Sequence, residues 1–335
     1  MENVAIDSCV FFHMIYFNNK YEKIGAKKFE QLIQNKIKRN EQQKQALLGM
    51  MTQTFLDGNK GVSDYELINQ YPKYLKKQKT KTEQMIAKLT NSLDYVKYKT
   101  PEQIERVKQD IEKAKLLYAD LEKRYNDFQN LRIPFDDQFK KLQIALLYKK
   151  LINKEITVFI PKTSYKEITD HIKKKGKNYK LTISSQEAFS LLGKCKVINF
   201  GSNKAMSIKG QIARDYRTQN PNPIAGETPM KPDKNAMGEY GDSQIMAEAN
   251  IAGMILITEN AKDFITQSEN NTEETKRRHI RTISRKHQPY ATDVLAYTPY
   301  EFLSGNYKKP TLKSQLEADV KVSIHPRTHT EQYTY

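Results

Sequence analysis

The chain has 335 residues, room for two domains or one elaborated domain, and only 38% are hydrophobic, so one packed core must accompany a large solvated portion. A formal charge of +17, from 56 Lys+Arg against 39 Asp+Glu, points to a polyanionic partner. The two cysteines, Cys9 and Cys195, lack the paired spacing of a zinc site or a disulfide framework, and the opening "MENVAIDSCVFFHMIYF" has no basic leader and carries Asp7 within its apolar run, which argues against a signal peptide or membrane helix; the expectation is a soluble, cytoplasmic protein.

In chain order, "NVAI" is a short strand that stops at Asp7, after which "SCVFFHMIYF" begins a helix. From Ala26 to about Lys150 lysine, glutamine, glutamate and leucine dominate, and the region reads as helical. A stretch from Ala26 to Leu56 ends at "DGNKG", where Gly58 and Gly61 terminate it. Ile104, Val107, Ile111, Ala114, Tyr118, Leu121, Tyr125 and Phe128 then alternate at three and four residues, the seam of a coiled coil, and Ile86, Leu89, Leu93 and Val96 keep the same step upstream. Thr100, Pro101 and Gln103 supply a helix start, so an antiparallel helical hairpin turns near residue 98. Tyr118 and Tyr125 read as packing within that seam.

Beyond it, helix and strand alternate. "ITVFI" is a strand followed by the helix of "PKTSYKEITDHI"; "SSQEAFSLLG" is a helix, "CKVINF" a strand and "SIKGQIARDYR" a helix. A Pro/Gly/Asn-rich loop leads to "GDSQIMAEANIAGMILITENAKDF", in which Asp242 opens a helix and "MILIT" is a buried parallel strand. "VLAYTPYEFL" closes the pattern. The expected organisation is a discontinuous core, 1–25 with 142–308, a helical insertion, 26–141, and a tail without clear period, 309–335.

Such alternation implies an α/β fold with a parallel sheet, whose ligands bind outside the carboxyl ends of the strands. Asp7 follows the first strand, Glu167 the second, with Asp170 as its rival; Asp263 follows "MILIT", and the helix of Asp242 runs back along the sheet. All four acids arrive at one edge, where their mutual repulsion calls for a hard divalent cation, Mg2+ or Mn2+. Each also has a local explanation. Asp7, Asp242 and Asp263 suit helix caps, and Ser164 with Glu167 spells a capping box.

These segments, "VAIDSCVF", "VFIPKTSYKEI", "GDSQIMAEANIAGMILITENAKDF" and "VLAYTPYEFL", resemble the successive motifs of PIN-domain nucleases over about 1–21 and 142–303. The resemblance implies a three-layer PIN-like core carrying a coiled-coil hairpin and a metal-dependent phosphodiesterase, RNA being the family's commonest substrate. It places metal ligands on Asp7, Glu167, Asp242 and Asp263, with Thr258 and Asn260 as polar support, and implies products with a 5′-phosphate and a 3′-hydroxyl. One or two cations would bind the scissile phosphate and lower the pKa of an attacking water. Lys276, Arg277, Arg278, Arg281, Arg285 and Lys286 would meet the RNA backbone, DNA being the other nucleic acid considered, as would Lys173, Lys174 and Lys175, with Tyr179 placed to stack on a base. Both basic runs also suit a solvated charged face. The rival functions are a catalytically inactive module binding RNA or protein and a structural or virion-associated subunit. The hairpin, at about 80–130, would serve assembly with itself or a protein partner.

Overall fold

A computed structural model describes residues 2–93, 100–173, 185–200, 206–211, 213, 237–259, 296–305, 307 and 322–325. By compactness the chain divides into one unit of Met1–Ile33 with Lys141–Tyr335 and a second of Gln34–Lys140.

In the first unit, short runs carrying β-branched residues form β1 (Glu2–Ile6), β2 (Ile156–Ile160), β3 (Lys196–Phe200) and β4 (Ile255–Ile257), and Ala296–Tyr297 forms β5. They pair in parallel in the order β5-β4-β1-β2-β3, an α/β arrangement. Val4 lies in register between Val158 and Ile255, and this face packs on Val10, Phe11 and Met14 together with Ile144, Leu147 and Tyr148. Ala5, Phe159 and Leu256 alternate with that set and are buried too. Burial of both faces explains why these strands read as unbroken apolar runs.

A sixth strand, β6 (Val322–His325), pairs antiparallel with β3, setting Ile324 opposite Ile198. The expected tail 309–335 is corrected here, because part of it completes the sheet edge. Four residues are too few for their alternation to register against polar neighbours.

The first strand leads into α1 (Ser8–Gly49), longer than the sequence suggests and broken once, at Gly25, whose φ of 77° and ψ of 167° are open only to glycine. The helix expected over Ala26 to Leu56 is thus the continuation of α1 to Gly49 followed by the short α2 (Gln53–Asp57), where Gly58 does terminate the turn. Next come α3 (Asp64–Leu93), α4 (Pro101–Ile152), α5 (Lys162–Lys173) and α6 (Ser185–Leu192), then α7 (Met237–Ile251) and α8 (Pro299–Leu303). Asp242 does not open its helix: α7 begins at Met237 and Asp242 sits in the second turn. Gly238 and Gly241 lie inside this helix, which continues through both although glycine weakens a helix interior. At the far end Gly253, at φ 64°, turns α7 into β4, with Gly253 N–H donating to Asn250 O and Met254 N–H to Ala249 O.

In the second unit α3 and α4 pack through aromatic and aliphatic residues. Phe128 and Phe135 are fully buried, the Tyr71 ring lies 4.9 Å from that of Phe128, and Tyr65 stacks on Phe139. Tyr118 carries the Lys79 ammonium 4.9 Å from its ring centre while Lys79 pairs with Glu122. The start of α4 is capped as its sequence indicates, Gln103 N–H donating to Thr100 Oγ1 and Thr100 N–H to Gln103 Oε1. The turn near residue 98 lies outside the described residues.

Candidate active site

The site forms where the sheet changes direction. From β1 the chain builds outward on one side through β2 and β3 and on the other through β4 and β5, so β1 and β4 flank the reversal, the place beyond the strand ends where open parallel sheets take their ligands. Asp7 follows β1, its N–H donating to Ile257 O at 3.0 Å; Thr258 follows β4, its N–H donating to Tyr297 O at 2.9 Å. These bonds extend the ladders by one residue and hold the two side chains side by side. Thr258 Oγ1 donates to Asp7 Oδ2 at 3.0 Å.

Asp7 is almost wholly buried. Its Oδ1 accepts from Ser8 N–H at 2.6 Å and its Oδ2 from the Cys9 thiol at 3.1 Å. The main-chain carbonyl of Asp7 accepts from Phe11 N–H, so Asp7 also caps α1, and its local and site roles coexist. Burial pushes the Cys9 thiol up to about 12, with the neighbouring Asp7 charge adding to the effect, so Cys9 acts as a hydrogen-bond donor.

Glu167 arrives from α5. Ser8 Oγ donates to Glu167 Oε2 at 2.8 Å and lies 3.3 Å from Asp7 Oδ1, so one hydroxyl bridges both acids. The outer edge of Glu167 is open to solvent. Burial of its carboxylate still raises its pKa above the ordinary value; repulsion from Asp7 and Glu248 adds to this, and the Ser8 hydrogen bond opposes it. Glu167, not Asp170, makes the contact with Ser8.

The next contact uses a glycine. A Cβ on Gly241 would stand 2.9 Å from Glu167 Oε1, so the bare backbone of α7 makes room for the carboxylate one residue from Asp242. Two turns along α7, Glu248 is fully buried and accepts from Thr163 N–H at 3.0 Å, from Thr163 Oγ1 at 2.9 Å and from Lys209 Nζ at 3.1 Å. Moving forward along α5 from Thr163 to Glu167 thus moves backward along α7 from Glu248 to Gly241. The helices pack antiparallel, and Glu248 caps the N-terminus of α5 from a distance. The local capping box of Ser164 and Glu167 does not form: α5 starts at Lys162, and Ser164 lies inside it with its buried Oγ making no hydrogen bond among the described residues.

Glu248, Lys209, Ser8 and Thr163 were not singled out from the sequence. A signal existed for Glu248, the one charge within the run Ile245–Ile251, flanked by Ala247 and Ala249 and seven residues from Gly241, hence on the same face. None existed for Lys209, one lysine among many.

Of the expected residues, then, Asp7, Glu167 and Thr258 come together, and Asp242 lies on the turn of α7 that Glu167 touches. Asn260 and Asp263 lie outside the described residues, as do Lys174, Lys175, Tyr179, Lys276, Arg277, Arg278, Arg281, Arg285 and Lys286; Lys173 ends α5. Among the described residues no three His, Cys, Asp or Glu side chains are grouped to hold a metal ion. The pair of carboxylates with flanking hydroxyls is an oxygen-rich donor set, which suits a hard divalent cation. Beside it, His13 Nδ1 and the Glu259 carboxylate form a close pair across α1 and the residue after Thr258. No helix among the described residues is long and apolar enough to cross a membrane. Compared with family models, curated proteins and solved structures, the chain matches none.

Proposed function

We propose that the chain is a Mg2+- or Mn2+-dependent endoribonuclease with a PIN-like core, acting through the carboxylates where the strand order reverses. The observation that carries this reading is the Ser8 bridge, which joins Asp7 to a glutamate 159 residues beyond Ser8 at the carboxyl ends of the central strands. Two acids that meet this way repel; burial raises the Glu167 pKa and the Asp7 charge adds to it, so a cation between them would relieve both. A divalent cation held by Asp7 and Glu167, with Asp242 and Asp263 as further ligands, would neutralise the scissile phosphate and acidify the attacking water. Thr258 and Ser8 fix the carboxylate orientations, and the charge of +17 favours the polyanionic substrate.

The test is cleavage of single-stranded and structured RNA with Mn2+ or with EDTA. Metal-dependent cleavage by the wild type, lost in Asp7→Asn, is expected, together with a rise in wild-type Tm on adding Mn2+ that Asp7→Asn does not show. Equal cleavage by the two proteins rejects the reading.

A second reading, a non-catalytic module that binds RNA or protein, is favoured by how fully Asp7 is engaged by Ser8, Cys9 and Thr258 as a helix cap. It predicts salt-dependent RNA binding without turnover.

A further inference from the structure

We propose that the outer face of α1 beside this site is a stacking subsite for unpaired bases of a single-stranded nucleic acid. The proposal rests on the nuclease reading for where the scissile phosphate lies. Ser8 touches Glu167, and one turn further the Phe12 ring lies 4.8 Å from the His171 ring, tilted by 53°. Phe12 follows Ser8 by four residues and His171 follows Glu167 by four, so α1 and α5 run side by side in the same direction. The ring pair therefore sits about one helical turn, roughly 5 Å, from the carboxylates.

One more turn along the same face is Tyr16. Its neighbours Met14, Ile15, Phe17 and Asn18 are buried, yet Tyr16 is 55% exposed, so its ring is held outward by a helix anchored on its other side. Lys20 and Lys23, four and seven residues beyond Tyr16, continue the face with positive charge. Aromatic rings followed by lysines match the two parts of an unpaired strand: bases offer flat apolar faces and phosphates carry the negative charge. A duplex keeps its base faces stacked internally and can use only the lysines. The predicted occupant is thus single-stranded, and a duplex is the alternative that the test exposes.

The experiment measures binding of fluorescein-labelled single-stranded RNA, single-stranded DNA and a duplex of the same sequence by anisotropy, in EDTA so that no strand is cut. The expected result is tighter binding of the single strands, weakened about tenfold by Tyr16→Ala with duplex binding unchanged. Tyr16→Phe should restore the affinity, since the ring and not the hydroxyl does the stacking. Phe12→Leu, which keeps apolar volume in the α1–α5 contact, should weaken single-strand binding too. The same pattern with RNA or DNA supports the subsite. No binding, no effect of Tyr16→Ala, or an equal loss on single strands and duplex overturns it. Cleavage is scored separately with Asp7→Asn: Tyr16-dependent binding without turnover removes the nuclease reading alone, and metal-dependent turnover without Tyr16-dependent binding removes the subsite alone.

Discussion

In the first unit, buried carboxylates are held by partners far away in the chain: Asp7 by Thr258, and Glu248 by Thr163 and Lys209. In the second, burial is the work of rings and aliphatic side chains spaced three and four residues apart, Phe128 and Phe135 against Tyr71, Leu67 and Leu75. The two units thus answer different problems. A helical pair needs a continuous apolar seam, and any one contact resembles the next. A cluster of buried acids needs each charge oriented and each buried donor matched, so single contacts there have no substitute.

Four measurements test this contrast. The largest effect is expected in the second unit: Phe128→Ala removes a fully buried ring and should lower stability by roughly 3–5 kcal/mol in denaturant unfolding. A loss under 1 kcal/mol would mean that its seam is not the core described. Next is Glu248→Ala, which leaves the Thr163 N–H and the Lys209 ammonium, whose side chain is only 16% exposed, without their carboxylate. About 3 kcal/mol should be lost, and amide exchange should quicken first at the N-terminus of α5.

Gly241→Ala separates stability from the site. Alanine favours a helix interior by up to about 1 kcal/mol over glycine, and the new Cβ displaces only the flexible end of Glu167. Tm should hold or rise while Mn2+-dependent cleavage falls; unchanged cleavage would show that the placement of Glu167 does not matter. The smallest effect concerns pH. Because the folded-state pKa of Glu167 is raised, the native protein holds this proton more tightly than the unfolded chain, and its contribution is full below the ordinary glutamate value. Unfolding free energy should decline as pH rises from there through the raised pKa, and Glu167→Gln should flatten that slope. A slope identical in the two proteins would place the titration elsewhere.

Much of the first unit's framework was legible residue by residue. "NVAI", "ITVFI" and "MILIT" are apolar because both faces of their strands are covered, and the rule that ligands gather at strand carboxyl ends was enough to pair Asp7 with Glu167. The Thr100 capping box was legible because all its atoms lie within four residues. Ser164 and Glu167 have the same spacing and form no such box, because the helix already starts at Lys162 and the Glu167 carboxylate accepts from Ser8. The start of α7 at Met237 and the pairing of β6 with β3 escaped the same reading. For β6 the deciding partner is remote in the chain, and for α7 two glycines near its start make local propensity weak.

Period, composition and turn chemistry act over a few residues, and they were sufficient for the strands around Asp7 and for the helical seam. Folding added the partners: Ser8 between two acids, Gly241 yielding space to Glu167, and Lys209 and Thr163 on a buried Glu248. A hydrogen bond or charge contact acts over about 3 Å, so residues separated by tens or hundreds of positions can be matched only once the sheet has brought them to one edge.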